Sequence, residues 1–275
     1  MSPWVSILAG TAAPTRHPAI STTISEEDIG AACVPEVYPR LQPIGEAGVL
    51  VEYEPQISLK VHRKVRQLAS ALEQQPLPGM IEVVPAYRSL MVSFHPEQIS
   101  LAEIQAAIEE RLEHLNEFSL PDSRLFRIPT VYGGRHGPDL EHIAQTTGQT
   151  CAEVIELFSS QRYPVYFLGF LCCLPYMGGV PLRLQLPRLT TPRTFLPAGS
   201  VGMANAQAVV LPIDQPSGFH FLGQTFVGLY DPHQFPPTPI RPGDFVECPA
   251  VSEEEALGWK GRFVGECLGH GASHS

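Results

Sequence analysis

Lysine is nearly missing from this sequence. Lys60, Lys64 and Lys260 are the only three in 275 residues, and acidic side chains outnumber basic ones by 28 to 18, for a formal net charge of −10. A nucleic-acid partner needs a basic face for its phosphates, so no nucleic acid is expected as the main partner. No apolar run approaches the roughly 18–20 residues of a membrane-spanning helix, so no membrane role is expected. The opening "MSPWVSILAG" carries no basic residue ahead of its apolar patch, which argues against a secretory signal. The six cysteines (Cys33, Cys151, Cys172, Cys173, Cys248 and Cys267) include no C-x-x-C pair. Adjacent Cys172 and Cys173 cannot bond each other without strain. No zinc site or disulfide framework is expected, and the reading is of reduced thiols in a cytoplasmic protein. Also absent are a G-x-x-x-x-G-K-[ST] loop, a spaced G-x-G-x-x-G, H-E-x-x-H and G-x-S-x-G, so the common phosphate loops, zincin helices and nucleophile elbows are excluded.

What is present divides the chain in two. The length suggests two domains, and 28 prolines with 23 glycines imply many turns and short strands. Residues 1–38 read as a poorly ordered leader. Residues 39–130 read as a ferredoxin-like α+β domain of order β-α-β-β-α-β. Its first strand is "AGVLVEY", with Val49 and Val51 on one face and Leu50 on the other. A helix follows with Val61, Val65, Leu68 and Leu72 at helical spacing. "GMIEVVPAY" and "SLMVSFHP" are paired strands. Ser100 with Glu103 is a capping box for a helix whose apolar face is Ile104, Ile108, Leu112 and Leu115. "RLFRIPTVY" is the expected last strand. Residues 131–163 read as a connector of two short helices, the second capped by Thr150 and Glu153. Beyond Tyr163 helical periodicity stops, and residues 164–251 read as a β barrel or sandwich. Residues 252–275 read as a tail.

The segments "VPAYRSLMVSF", "IPTVYGGRHGPDLEHIA", "YFLGF" with "PYMGG", "PRLTTPR", "PAGSVG" and "PGDFVE" follow one another in that order. Together they resemble the family of the B-type subunit of 5-oxoprolinase, also called KipI or allophanate hydrolase subunit 1, over roughly residues 40–250. The resemblance implies a fold of an N-terminal α+β domain and a cyclophilin-like β-barrel domain. It implies a homologous partner of the KipA type (the C-type subunit of the same enzyme) and an A-type subunit. The three would act with ATP and magnesium on a small amide or lactam substrate. The alternative is a non-catalytic KipI-like regulator, a kinase inhibitor, or a divergent binding protein of the same fold.

Opening a stable lactam by phosphorylating its oxygen calls for cations beside the substrate carboxylate and the transferred phosphoryl group. Arg188 and Arg193, each after a rigid proline, are the candidates, with Arg183 behind them. Pairing with acidic neighbours is the competing reading for both. Gly199, Ser200 and Gly202 form a tight turn whose amides can face an anion, or an ordinary hairpin turn. Gln207 is a candidate to orient an amide, and Tyr176 to line the pocket. No catalytic residue is assigned. Departures from the family fall inside these motifs: Phe158 where a histidine is usual, Cys172-Cys173-Leu174 for Pro-Gly-Phe, Gln207-Ala208-Val209 for Gln-Thr-Gly, and Pro216-Ser217-Gly218-Phe219 for Pro-Gly-Gly-Trp. They are compatible with a retuned substrate or with lost catalysis, and weak or no 5-oxoprolinase activity is expected of the chain on its own, even with ATP.

Overall fold

The computed structural model describes residues 37–269. The expected leader therefore lies almost wholly outside the described residues. Residues 38–269 form one compact unit. It opens with strands β1 (Arg40–Pro43) and β2 (Gly48–Glu52), helix α1 (Leu59–Gln74), strands β3 (Met80–Pro85) and β4 (Ser89–Phe94), and helix α2 (Leu101–Glu113). The side-chain pattern explains each. Val61, Val65, Leu68 and Leu72 fall on one face of α1 and are buried with Val49 and Val51 of β2. The Ser58 hydroxyl accepts from the Val61 N–H and starts the helix. Ser100 and Glu103 form the reciprocal cap of α2, and Ile104 and Ile108 point into the same core.

The sheet order here is β1-β2-β4-β3, antiparallel throughout. This corrects the expected β-α-β-β-α-β arrangement. The outer strand beside β2 is β1, which comes before α1, and not "RLFRIPTVY", which follows α2. That segment supplies β5 (Leu125–Arg127) and β6 (Val131–Tyr132), and both join a second sheet. An alternating apolar run fits any sheet with one buried face, so the pattern alone did not identify its partner.

After β6 come α3 (Leu140–Thr147) and α4 (Cys151–Ser159). Strands β7 (Tyr163–Gly169), β8 (Leu174–Met177), β9 (Arg193–Leu196), β10 (Ser200–Ala204), β11 (Gln207–Val210), β12 (Gln215–Ser217), β13 (His220–Gln224) and β14 (Phe245–Glu247) follow, then helix α5 (Glu253–Leu257). Eight strands form one sheet in the order β5-β14-β7-β8-β11-β10-β13-β6. Its two end strands are successive stretches of one segment, so the sheet curls round. Ile128 and Thr130, between them, donate to Glu247 and Pro249 across the junction. Helices α3 and α4 are part of this half and not a separate connector. Leu140, Ile143, Val154 and Phe158 share a buried core with Tyr163, Val165, Val201, Met203, Leu222 and Val246. The expected tail is also part of it, as far as the described residues reach. Val264 and Cys267 are buried in that core, and Leu268 bridges to Phe126.

The two halves meet through a polar and aromatic seam. His62 of α1 is buried, and its Nε2 lies 2.6 Å from the Tyr166 carbonyl. Tyr87, between β3 and β4, packs against Tyr166 and Phe167 at ring separations of 5.0 and 4.9 Å. Among the described residues no helix is long and apolar enough to cross a membrane.

Candidate functional site

A cleft of about 300 Å³ opens on the β half, on the side of a small separate cluster of Leu174, Leu196, Val209, Leu211, Phe219 and Phe221. The ribbon of β9 and β12 forms one wall, with Gln215 opposite Leu196 and Ser217 opposite Arg193. Strand β8 forms another through Leu174 and Tyr176. The loop carrying Arg188 is tied to the residue just past β12, where Leu189 donates to the Gly218 carbonyl at 2.8 Å. The polar groups on the lining are those of Tyr176, Arg188, Gln215 and Ser217, and no carboxylate is among them.

Arg188 is exposed, and among the described residues it has no carboxylate within ion-pair distance. Its guanidinium sits 4.8 Å over the Phe219 ring and donates weakly to Gln207 Oε1 at 3.3 Å. The other end of that amide, Gln207 Nε2, donates to the Tyr87 hydroxyl at 2.6 Å. Burial holds the Tyr87 hydroxyl protonated, its pKa pushed up to about 12. Tyr176 stacks on Phe167 at 4.5 Å, and Phe167 meets Tyr87 edge-on. Arg188 is thus braced from the seam between the halves, with its charge left for a ligand. Gln207 has both ends of its amide engaged. It positions Arg188 and does not itself line the cleft.

The other candidates are occupied elsewhere. Arg193 makes a two-pronged pair with buried Asp139, at 2.9 and 2.5 Å, and Asp139 also accepts from the Phe221 N–H at 2.7 Å. That arrangement fixes the start of α3 against β13 and leaves no fork for a substrate. The turn amides face no opening. Gly199 donates to Leu211, and Ser200 donates to Pro197. The Ser200 side chain is buried, its hydroxyl donating to the Pro197 carbonyl at 2.7 Å. A Cβ on Gly199, which has φ +79°, would lie 2.0 Å from the Thr225 carbonyl oxygen, and one on Gly202 would lie 2.7 Å from the Phe221 ring. These glycines serve close approach of backbone and ring. Arg183 is exposed and off the cleft. Arg88, the arginine of the "VPAYRSLMVSF" motif, pairs with Glu52 at 2.8 Å.

The departures also sort out. Phe158 lies in the main core beside Tyr132 and Tyr163, so a histidine there would not face the cleft. Cys172 and Cys173 sit in the β7–β8 turn at φ 44° and 62°, with Phe170 at 58°. The family glycine expected at this turn is conformationally apt there, since left-handed backbone strains any other residue. Burial pushes the Cys173 thiol up, the wrong direction for a nucleophile. Ser217, Phe219 and Leu174 do line the cleft. Gln215 was missed altogether. It is one of three polar residues, with Asp214 and Ser217, in the proline-broken stretch "LPIDQPSGF", where no periodicity marks a buried side chain.

Two antiparallel-rich sheets with flanking helices, the larger sheet curled round, define a class. The model of the carboxyltransferase domain, subdomain C and D, matches residues 39–240, and the chain belongs to that family. It is similar to the B-type subunit of 5-oxoprolinase from Bacillus subtilis (strain 168), with 35% identity over 231 residues, 80% of this chain and 96% of that one. Similarity to the same subunit in Escherichia coli O157:H7 is 38% over 204 residues, 74% and 92% of the two chains. Among solved structures, TTHA0988 in space group P6522 matches with a TM-score of 0.66 and 32% identity, over 75% of this chain and 40% of that longer one. The K. lactis urea amidolyase, at 20% identity and a TM-score of 0.64, covers 79% of this chain and 15% of its own, and shows the fold alone.

Proposed function

We propose that this chain is one subunit of a 5-oxoprolinase-type amide hydrolase, and that its cleft receives the carboxylate of a small cyclic amide at Arg188. The carrying observation is a guanidinium on a mostly apolar cleft, braced by Phe219 and Gln207 and without an acidic partner. Relatives named for this subunit, matched over nearly their whole length, support the reading. The size supports it too, since about 300 Å³ is at the lower end of small-molecule pockets.

The cleft does not suit ATP. One guanidinium faces what would be several phosphate charges, and the lining carries no lysine and no carboxylate to hold magnesium. The nucleotide belongs, in this proposal, to the complex assembled with the KipA-type and A-type subunits. What this chain contributes is binding and orientation: Arg188 neutralises the carboxylate, and Leu174, Val209 and Phe219 exclude water from the ring. The test is reconstitution with the homologous partner subunits, following ATP-dependent glutamate formation from 5-oxoproline. Turnover that needs this chain and falls with Arg188→Ala supports the proposal. A complex equally active without this chain refutes it.

A further inference from the structure

Gln215 lines the cleft, yet it is only 3% exposed and its Oε1 has no hydrogen-bond partner. Among the described residues its Nε2 donates to no protein acceptor either. Nearly every buried amide in a folded protein finds partners, because a lone one forfeits the hydrogen bonds it had in water. The neighbours offer none. Leu196 is its cross-strand partner, Val209 and Leu211 are apolar, and the Ser217 hydroxyl, which accepts from the Phe219 N–H at 3.2 Å, makes no bond to it. A carboxamide carries one donor edge and one acceptor edge side by side. Its complement is a group with an N–H and a C=O on the same side, which is the cis amide of a small lactam ring.

We infer that Gln215 is the specificity-determining residue of this cleft, reading the amide edge of a five-membered lactam while Arg188 takes its carboxylate. The lactam N–H donates to Gln215 Oε1, and the lactam C=O accepts from Nε2. This rests on the proposed function and adds to it. Arg188 selects for an anion of any kind, whereas Gln215 separates lactams from lactones and carbocycles of the same shape. A lactone has no N–H, so it leaves Oε1 buried and unpaired, a mismatch on the order of 10- to 100-fold in affinity.

The experiment is calorimetric titration of the full chain, alone and with its partner subunits. The probes are 5-oxoproline, the matching lactone carboxylate and cyclopentanecarboxylate. Wild type should bind the lactam at least about 10-fold more tightly than the lactone. In Gln215→Met and Gln215→Leu that preference should fall to within about twofold, while Arg188→Ala should weaken all three probes together. Neither Gln215 variant removes a hydrogen bond within the protein, and thermal melts check that both fold. Equal binding of lactam and lactone by wild type, or a preference that survives both Gln215 variants, discards Gln215 and leaves the proposed function standing. No binding of 5-oxoproline by wild type, alone or assembled, overturns both.

Discussion

Two stretches of the β half use similar residues to opposite ends. Pro197–Gly202 and Gln215–Phe219 each combine proline, glycine and serine in a tight path. In the first, the amides of Gly199 and Ser200 and the Ser200 hydroxyl are all engaged within the protein. In the second, the oxygen of a buried carboxamide has no partner and a cation–π ring supports a guanidinium without an acid. A glycine-rich turn advertises an anion site in sequence, but the groups that can serve a ligand are those the fold has left unsatisfied. The arginines repeat the lesson five residues apart, for Arg193 is held by Asp139 and Arg188 is not.

The sharpest way to test this contrast is at Gly199. Alanine there would put its Cβ 2.0 Å from a backbone oxygen at a positive φ. Backbone cannot step aside as a flexible side chain can, so the expected loss is about 3 kcal/mol or more in urea unfolding. Ser217→Ala, in the other stretch, should shift stability by less than about 1 kcal/mol. Similar losses in both would erase the distinction. Next in size is Arg193→Ala, which strands the buried Asp139 carboxylate. The expected cost is about 2–4 kcal/mol, below the full value for a buried pair because Arg193 is itself partly exposed. Adding Asp139→Asn should recover part of it, and a double-mutant cycle measures how much.

His62 extends the comparison to the seam between the halves, where a polar group is buried and satisfied. Burial holds its pKa down at about 4, the Tyr166 carbonyl and Arg66 being the other groups that act on it. The unfolded chain takes the proton near 6.5, so between those values the unfolded state binds more protons. The stabilisation is therefore present above about pH 6.5 and is lost as pH falls to about 4, by roughly 2–3 kcal/mol. Carboxylates titrate over part of the same range, so the informative quantity is a difference. In His62→Gln the slope of unfolding free energy against pH should drop by up to one proton in this window. An unchanged slope would show that His62 is not a buried neutral group.

What sequence could show was local. The capping boxes at Ser100 and Thr150 lie within four residues, and both form as read. The apolar faces of α1 and α2 follow from one period. Strand partnership is not local, which is why "RLFRIPTVY" was assigned to the wrong sheet. The Arg193–Asp139 pair spans 54 residues, and nothing in either neighbourhood points to the other. Phe158 is an instructive case. Its spacing from Val154 already marked a core face of α4, and that pattern was a better guide than its place in a motif. Gln215 could not be found from sequence, since its character lies in the absence of a partner.

The smallest expected effect on folding belongs to Arg188, and it gives the contrast its strictest form. Arg188→Ala removes an exposed head, one ring contact and one long hydrogen bond, so stability should fall by no more than about 0.5–1 kcal/mol. Affinity for a small carboxylate should fall by about 1.5–3 kcal/mol, the scale of a charge-assisted hydrogen bond. Arg188→Lys should restore only part of it, because the planar fork that stacks on Phe219 is lost. Arg193→Ala should show the reverse profile, with folding weakened and affinity per folded molecule kept. Paired urea melts and titrations of the two alanine variants decide the matter. Should Arg188→Ala unfold the protein as readily as Arg193→Ala while ligand affinity stays put, the two arginines are equivalent structural pairs, and the cleft has lost its cation.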